Sequence, residues 1–589
     1  MADRDQNKNA GAAGVRTISD AIENAVSFNP GEVEGPCPVL PLGACGGIYF
    51  YLSPRGELRV LAARAHTAAE LESLFDGILV WARAAFPRFD RSGRNVVGYE
   101  LDELRQWLFR EASEVGYFDA DRDLRGPGAW RDEDGGLVLH CGDEVLFRDA
   151  WVPAGDKLGD GIIYPATAPV PRPADTPAAA RAGVELIEFL SCWRWRAPCL
   201  AGRLWAGWIA CAMVCGALRW RPHVLVAGGP GTGKTTLEGL AEGLLGPGGS
   251  ERSADASPAG VRNKLSGAAK AVLLDEVEND PLNMRPKQII ELARIASTDG
   301  QGHVVRGSPE QRAIAQHIRA AFYFTAVLHP ALLPQDASRI TVLELDPIDA
   351  DTMDQARIEE TIAELIGLAP ALRARMIQGW SRFNHNLQTY RAVLISAGCD
   401  SRQADQYSAL LAAADVLTSD AATDAETAAA IVAELRPLEI LPPDDLDADH
   451  WRCWAHLCSS WIEIAYLEGG SKRMAIGEVL RRVLTLGGQD YLRALRMNGI
   501  AIVDRDGTRH VVVANQHRAL DSIFAGTQWH SGVWRQSLQR LPDATTGPPI
   551  KFGGYKARGT WLVAARLVEL SETDDADNRP DGDEELADG

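Results

Sequence analysis

The sequence predicts a multidomain α/β protein: a central parallel sheet wrapped by helices, a small α+β domain before it and a helical, basic domain after it. Three observations carry this. Between residues 178 and 350 short apolar runs, a glycine-rich loop and helical stretches alternate, the rhythm of a parallel sheet with crossover helices. Two proline-rich segments, 166–177 and 437–449, punctuate the chain. Its 589 residues also exceed what a single core serves at roughly 150 residues per domain.

Composition narrows the class. With 46% hydrophobic and 24% charged residues the chain reads as globular, and a net charge of −20 excludes a protein that coats nucleic acid or anionic lipid along its whole length. The ten cysteines are scattered, which points to reduced thiols and a cytoplasmic location rather than a disulfide framework. Met1 to Gly14 is polar and lacks a secretory pattern. Leu204 to Leu218 is the most apolar stretch; its 15 residues fall short of the ~20 of a membrane span, so it reads as a buried helix, with no membrane partner expected.

Residues 1–34 carry no sustained apolar period and read as disordered. In 35–165, Gly47 to Leu52 and Leu58 to Leu61 flank Ser53-Pro-Arg-Gly56 as a β-hairpin. Thr67 to Phe86 has helical spacing with Thr67 as N-cap, Tyr99 to Val115 repeats it, and Gly136 to His140 reads as a strand. Four prolines make 166–177 a stiff linker and domain boundary before the core at 178–350. Residues 351–436 are rich in Ala and Leu, a helical lid or bundle; 437–449 is a second linker. From His450 to Leu570 there are 16 Lys plus Arg against nine Asp plus Glu, so 450–570 is a basic domain inside an acidic chain. It is expected to hold helices to about Met497, then a hairpin of Ile500 to Val503 and His510 to Ala514 around Asp504 to Gly507. The tail, 571–589, holds nine acids and one base and reads as disordered.

Chemistry concentrates in the core. Val224 to Ala227 runs into Gly228-Gly229-Pro230-Gly231-Thr232-Gly233-Lys234-Thr235-Thr236 and then a helical period, a complete P-loop in its strand-to-helix context. Such a loop turns backbone N–H groups toward phosphates, Lys234 reaches the β and γ phosphates, and Thr235 offers a hydroxyl to Mg²⁺; ATP and Mg²⁺ are the expected cofactors. Ala271 to Leu274 is a second apolar strand that ends in Asp275 and Glu276, the first of them 41 residues after Lys234. Asp275 is assigned to the metal and Glu276 to the attacking water. Ala321 to Val327 reads as the next strand, with Thr325 the nearest γ-phosphate sensor and His329 the second; a Thr without a role is the competing reading. Arg339 precedes a further apolar strand and is either an arginine finger reaching a neighbouring subunit or a salt-bridged arginine.

The stretch from about Trp205 to Pro347 resembles the AAA+ ATPase core of superfamily 3-like helicases in phage and mobile-element primase-helicase proteins. The residues behind the resemblance are Ala217-Leu-Arg-Trp-Arg-Pro-His223, Leu273-Leu-Asp-Glu-Val277, Ile289 to Ser297, Val305-Arg-Gly-Ser308 and Asp336-Ala-Ser-Arg-Ile340. It implies a hexameric homo-oligomer gripping single-stranded DNA, ATP between subunits, Arg339 acting in trans, a channel loop in Gln301 to Arg319 and a phosphate contact from Arg306. The sensor position lacks the family's usual Asn. The basic region is similar to the winged-helix part of such proteins: a helix with Arg481, Arg482, Arg493 and Arg496, a hairpin wing, and Lys551-Phe-Gly-Gly-Tyr-Lys556-Ala-Arg558 before a closing strand at Trp561. Arginines beside a wing are a footprint of duplex or forked DNA; a solvated arginine face, in a chain with 51 Arg and nine Lys, is the alternative.

The expected fold class is thus α/β, a P-loop AAA+ core with a parallel sheet, flanked by an N-terminal α+β domain and a C-terminal helical plus winged-helix-like domain. The expected function is an ATP-dependent DNA-translocating, helicase-like ATPase of phage or mobile-element replication. A non-unwinding regulatory switch or loader and a defence-associated ATPase are the alternatives, and any priming activity would belong to a separate primase. Three tempting sites read as structure: His450, Cys453, His456 and Cys458 lie along one helix, Asp504 and Asp506 lie in a turn, and the tryptophans at 193, 195, 205, 208 and 220 read as core.

Overall fold

A computed structural model describes residues 35–156, 158–159, 161–196, 200–253, 257–265, 267–275, 285–298, 304–307, 313–316, 318–327, 332, 334–348, 355–435, 449–505 and 507–564. The expected disordered ends lie outside these residues, as does 437–448 of the linker expected over 437–449, whose last residue, Asp449, instead opens a helix. The chain divides into two compact units, 1–437 and 438–589.

The first unit begins with an antiparallel sheet of β1 (Leu40–Cys45), β2 (Ile48–Leu52) and β3 (Leu58–Ala62). Thr67 caps α1 (Ala68–Leu74), accepting from Glu70 N. The helix expected over Thr67 to Phe86 is two helices, because Asp76 and Gly77 both take positive φ (+51° and +75°) and no helix continues through that conformation. The chain resumes as α2 (Val80–Ala85), a hairpin of β4 (Pro87–Phe89) and β5 (Val96–Tyr99), and α3 (Leu101–Val115). Leu104, Leu108 and Ala112 of α3 bury against Leu71, Leu74 and Phe75. Then β6 (Gly128–Arg131), β7 (Leu137–His140), β8 (Glu144–Phe147) and β9 (Ala150–Pro153) form an antiparallel sheet in that order.

Residues 166–177 are extended, yet the core runs on across them. Val170 N donates to Cys141 O (3.0 Å) and Ala174 N to Pro370 O (2.9 Å). Trp130, Val138 and Leu139 share one hydrophobic cluster with α4 (Ala180–Leu190) and α5 (Ala201–Met213). The proline-rich segment is a strap laid on a common core, and no separate packing unit ends at it.

The central sheet contains β10 (His223–Gly228), β11 (Ser250–Ser253), β12 (Ala271–Leu274), β15 (Phe322–Ala326) and β16 (Ile340–Leu345), in the order β11-β12-β15-β10-β16, all parallel. Both faces are covered, which is why β12 and β15 read as unbroken buried runs. Between β12 and β15 the chain makes an antiparallel hairpin of β13 (Val304–Gly307) and β14 (Ala313–Gln316). Helix α6 (Lys234–Leu245) follows β10, α7 (Pro258–Leu265) follows β11, and α8 (Arg285–Ala296) precedes the β13–β14 hairpin.

Behind the sheet stands α5, with Trp205 and Trp208 fully buried and Trp205 Nε1 donating to Tyr323 OH (3.2 Å). The expected helical stretch is α9 (Gln355–Gly367), α10 (Ala369–Gln378), α11 (Trp380–Ser396), α12 (Ser401–Thr418) and α13 (Ala425–Glu434), which join the same hydrophobic cluster, with α10 and α12 packed on α5 itself. A Cβ at Gly207 of α5 would lie 2.0 Å from Leu410 O of α12, so only glycine lets these two helices approach as they do. Asp415 of α12 is buried and takes Arg203 from α5, Tyr390 OH (2.6 Å) from α11, and Thr423 Oγ1. Trp380 Nε1 donates to Gly135 O (3.0 Å), tying α11 back to the β6–β7 turn.

The second unit opens with α14 (Asp449–Ser459), followed by a hairpin of β17 (Trp461–Ala465) and β18 (Ser471–Ala475) where helices were expected up to Met497. Trp461 to Ala465 alternates exposed and buried, a period of two, and Gly469 and Gly470 close the turn at φ +102° and +87°. The four arginines expected on one helix lie on two: Arg481 and Arg482 on α15 (Ile476–Leu486), Arg493 and Arg496 on α16 (Gln489–Met497), broken at Gly487 and Gly488, both of positive φ. The next hairpin, β19 (Ile500–Arg505) and β20 (Thr508–Ala514), stands where expected, but Asp504 and Arg505, expected in its turn, extend β19 and pair with Arg509 and Thr508. After α17 (Arg518–Ile523) and α18 (Trp534–Leu538), β21 (Thr545–Thr546), a hairpin of β22 (Ile550–Phe552) and β23 (Tyr555–Ala557), and β24 (Gly559–Val563) complete the unit. Its main sheet is β19-β20-β24-β21.

Candidate functional site

The C-terminal ends of parallel strands are where ligands seat in open α/β sheets. Here that edge carries the glycine-rich loop, Lys234, Thr325 and Asp275, while Arg339 lies at the start of β16, at the opposite ends of the strands. Gly228 ends β10, and Gly231 and Gly233 turn the loop with φ of +74° and +81° before Lys234 starts α6. A Cβ on Gly233 would lie 2.5 Å from Trp193 Nε1 and one on Gly228 2.9 Å from Leu345 O, so both positions require glycine. Thr232 Oγ1 donates to Gly229 O (2.9 Å) and fixes the turn from within. Pro230, Gly231 and Thr235 are exposed, Gly229 and Thr236 half-buried. Lys234 Nζ donates to Gly228 O and Gly229 O (3.0 Å), two carbonyls of its own loop.

Asp275 stands one residue past β12. Register puts Thr325 beside Val226 of β10 and Phe324 beside Leu274 of β12, so β15 alone separates the loop-bearing strand from the acid-bearing one. Thr325, buried, donates its hydroxyl to Asp275 Oδ1. Glu276 and His329 lie outside the described residues. The site fits the group expected of it: a loop built on obligatory glycines, the N-terminal end of a twelve-residue helix, one lysine at its mouth, and a hydroxyl and a carboxylate able to hold a hard cation.

Three residues not expected at the site, Glu238, Arg252 and Trp193, lie beside it. Glu238, one turn along α6 from Lys234, is fully buried, and Arg252 of β11 grips both its oxygens at 3.2 Å while also reaching Glu242 (3.1 Å). Burial, then the neighbouring Asp275, raises the Glu238 carboxyl above its ordinary range. The signal was present: Leu237, Leu240, Ala241 and Leu244 mark the buried face of α6, and Glu238 interrupts it. Trp193 is core, as read, but its Nε1 also donates to Gly233 O (3.3 Å). Its segment is bridged to the end of β16 through Trp195 and Leu345 and through Asp346 N to Arg194 O (2.8 Å), which braces the loop from outside.

Arg339 differs from an arginine that reaches a neighbour. It is buried in its own chain, donating through Nε to Ser297 Oγ (3.1 Å) and through a terminal nitrogen to Gln335 O (2.5 Å), with its guanidinium 5.7 Å from the Trp220 ring centroid. Burial, then Arg402 and Arg294, lowers its pKa from the usual arginine value. Arg306 registers opposite Ile314 in the β13–β14 hairpin.

In the second unit Arg481, Arg482, Lys551, Lys556 and Arg558 are all exposed. Arg482 pairs with Glu478 (3.0 Å), and Arg493 with Asp490 (3.4 Å). The structure does not bring the two sets onto one element: Arg481 and Arg482 belong to α15, while Lys551 and Lys556 belong to the β22–β23 hairpin. His456 Nε2 lies 3.0 Å from Ile523 O, and Cys453 is buried.

No known protein family matches the chain, and no curated protein does. Among solved structures it is similar to one described as "SCCmec type IV Cch - active helicase", at 10% identity over 90% of this chain and 94% of the other, with a TM-score of 0.47. It is also similar to two apo structures of the NrS-1 C-terminal region. One shares 11% identity over 73% of this chain and 94% of that one, with a TM-score of 0.29. The other shares 12% identity over 89% and 96%, with a TM-score of 0.32. At these scores no residue role or activity follows from the likeness.

Proposed function

We propose that the chain is an ATP-dependent, DNA-translocating ATPase of the helicase-like AAA+ kind expected in phage or mobile-element replication. One observation carries the reading: a glycine-rich loop with Lys234 and an acid at Asp275 lie at the same edge of a parallel sheet, one strand apart, with Thr325 of that strand hydrogen-bonded to the acid. The backbone amides of Gly229 to Thr235 and the N-terminal end of α6 bind the phosphates, and Lys234 exchanges its two loop carbonyls for the β and γ oxygens. Thr235 and Asp275 hold Mg²⁺, which when bound supplies charge neutralisation on the phosphates. Thr325 keeps one Asp275 oxygen oriented, and Glu276 orients the water. Arg481, Arg482, Lys551, Lys556, Arg558 and Arg306 contact DNA; a helix pair followed by the β19–β20 hairpin supports the winged-helix reading of the second unit.

ATP turnover measured with and without single-stranded DNA tests this. Wild type turns over and DNA stimulates it; Lys234→Ala abolishes turnover. Failure of the purified chain to take up ATP at millimolar concentration with magnesium ends the reading. A second reading, a switch or loader that does not unwind, is favoured by the burial of Arg339 within its own chain. ATP-dependent DNA binding without strand displacement on a fork supports it over the first.

A further inference from the structure

The β22–β23 hairpin places Lys551 and Lys556 directly opposite each other across its two strands, both exposed. Like charges in that position cost stability, and among the described residues neither lysine has an acidic partner. A pair kept at that cost awaits an anion. The hairpin's turn abuts the end of α16: a Cβ at Gly553 would lie 3.0 Å from Met497 Sδ, beside the exposed Arg496. On the opposite face of the hairpin Phe552 is buried, while Tyr555 is 50% exposed with its ring centroid 6.2 Å from that of His517.

Two residues before His517 the surface opens into a recess of about 540 Å³, lined by Asn515, Gln516, Asp521, Trp534, Arg535 and Gln536. Asn515 N donates to Arg558 O (2.9 Å), so the recess adjoins the hairpin's exit. Its wall offers amides, a guanidinium and a carboxylate, the donors and acceptors of a base edge, and Asp521 disfavours a phosphate there. The recess lies at the base of the β19–β20 hairpin, the length of β20 away from its tip, roughly 20 Å at about 3.3 Å per residue.

We infer that this base, and not the tip of the β19–β20 hairpin, is a single-strand site: Lys551 and Lys556 take phosphates, Tyr555 stacks a base, and the recess beside Asn515 accepts the next nucleobase. An exposed aromatic on one face of a short hairpin, two unpaired lysines on its other face and a polar recess beside its exit together offer the stacking surface and the cations that single-stranded nucleic acid uses. The inference rests on the reading above that the second unit binds DNA, and it adds which strand form and where.

The full chain is titrated into a labelled oligothymidylate of about 20 nucleotides and, separately, into a blunt duplex of equal length. Tyr555→Ala and the double change Gln516→Ala with Gln536→Ala each weaken single-strand binding about tenfold, duplex binding falls less than twofold, and Tyr555→Phe keeps wild-type affinity. Lys551→Gln with Lys556→Gln flattens the salt dependence of single-strand binding. Unchanged single-strand affinity in Tyr555→Ala, or equal losses on duplex, overturns the site while leaving DNA binding elsewhere in the chain intact. A wild-type chain that binds neither form overturns both readings. Tyr555-dependent single-strand binding without DNA-stimulated ATP turnover ends the motor reading alone.

Discussion

Arg252 and Glu238 are joined by two hydrogen bonds of 3.2 Å that link β11 to α6, and the carboxylate end of the pair is buried beside Asp275. Glu238 and Glu242 therefore share the Arg252 guanidinium beside the place where phosphate and metal are expected. Removing either partner alters the charge that Asp275 experiences.

Glu238 is raised, so its ionised form is disfavoured in the folded chain. The stability it contributes is present below its unfolded pKa and is lost as pH rises through the higher, folded value. Glu238→Gln cannot titrate. Urea unfolding across pH 4 to 8 is expected to show the variant gaining on wild type as pH rises through that window. A difference independent of pH would show that Glu238 does not titrate there.

Thr325 reaches Asp275 from β15 with its hydroxyl. Thr325→Val keeps the shape and deletes the donor. Groups that orient a metal's carboxylate are worth roughly 10- to 100-fold in metal affinity or activity, so the Mg²⁺ concentration for half-maximal turnover should rise by that factor. A magnesium titration at saturating ATP measures it, and an unchanged midpoint would remove Thr325 from the site.

Arg339 is held by Ser297, Gln335 and Trp220 of its own chain. Arg339→Ala should lower the unfolding free energy by about 1–3 kcal/mol, as expected when a buried hydrogen-bonded group is deleted. Mixing it with Lys234→Ala should give no more ATP turnover than the two variants show apart. Recovery in the mixture would show that the arginine leaves this position to serve a neighbour.

Asp415 closes the junction of α5, α11 and α12 with Arg203, Tyr390 and Thr423 around one carboxylate. Asp415→Ala strands a cation in a mostly buried place, a loss of about 3–5 kcal/mol. Chemical denaturation of the first unit's transition reads this directly, and a shift under 1 kcal/mol would mean that water replaces the carboxylate.

The loop around Lys234 was legible because its chemistry is local: glycines, a lysine and a hydroxyl at fixed spacing between an apolar strand and a helix. The parallel sheet was legible because strands buried on both faces are continuously apolar. The partnership of Glu238 with Arg252 was not, since it depends on which strand lies beside which. Nor was the burial of Arg339, which is set by Trp220 and Ser297 from distant segments. Asp76-Gly77 and the pair Gly487-Gly488 were visible as residues, but a helical period on either side masked the breaks. The hairpin of β17 and β18 was overlooked because Trp461 to Ala465 is short and follows an amphipathic helix.

The seating of Gly207 against Leu410, and of Trp380 on the turn at Gly135, has a temporal side. The sheet of β6 to β9 emerges early in synthesis, but Trp380, which ties down its turn at Gly135, arrives only with α11. At 5–20 residues per second, the roughly 230 residues between Pro153 and Trp380 take roughly 11 to 46 s to make. During that interval the nascent chain leaves the Gly135 turn uncovered, and the Gly207 surface of α5 still lacks Leu410 of α12. Production of the intact polypeptide should therefore lean on holdase chaperones more heavily than its finished stability would imply.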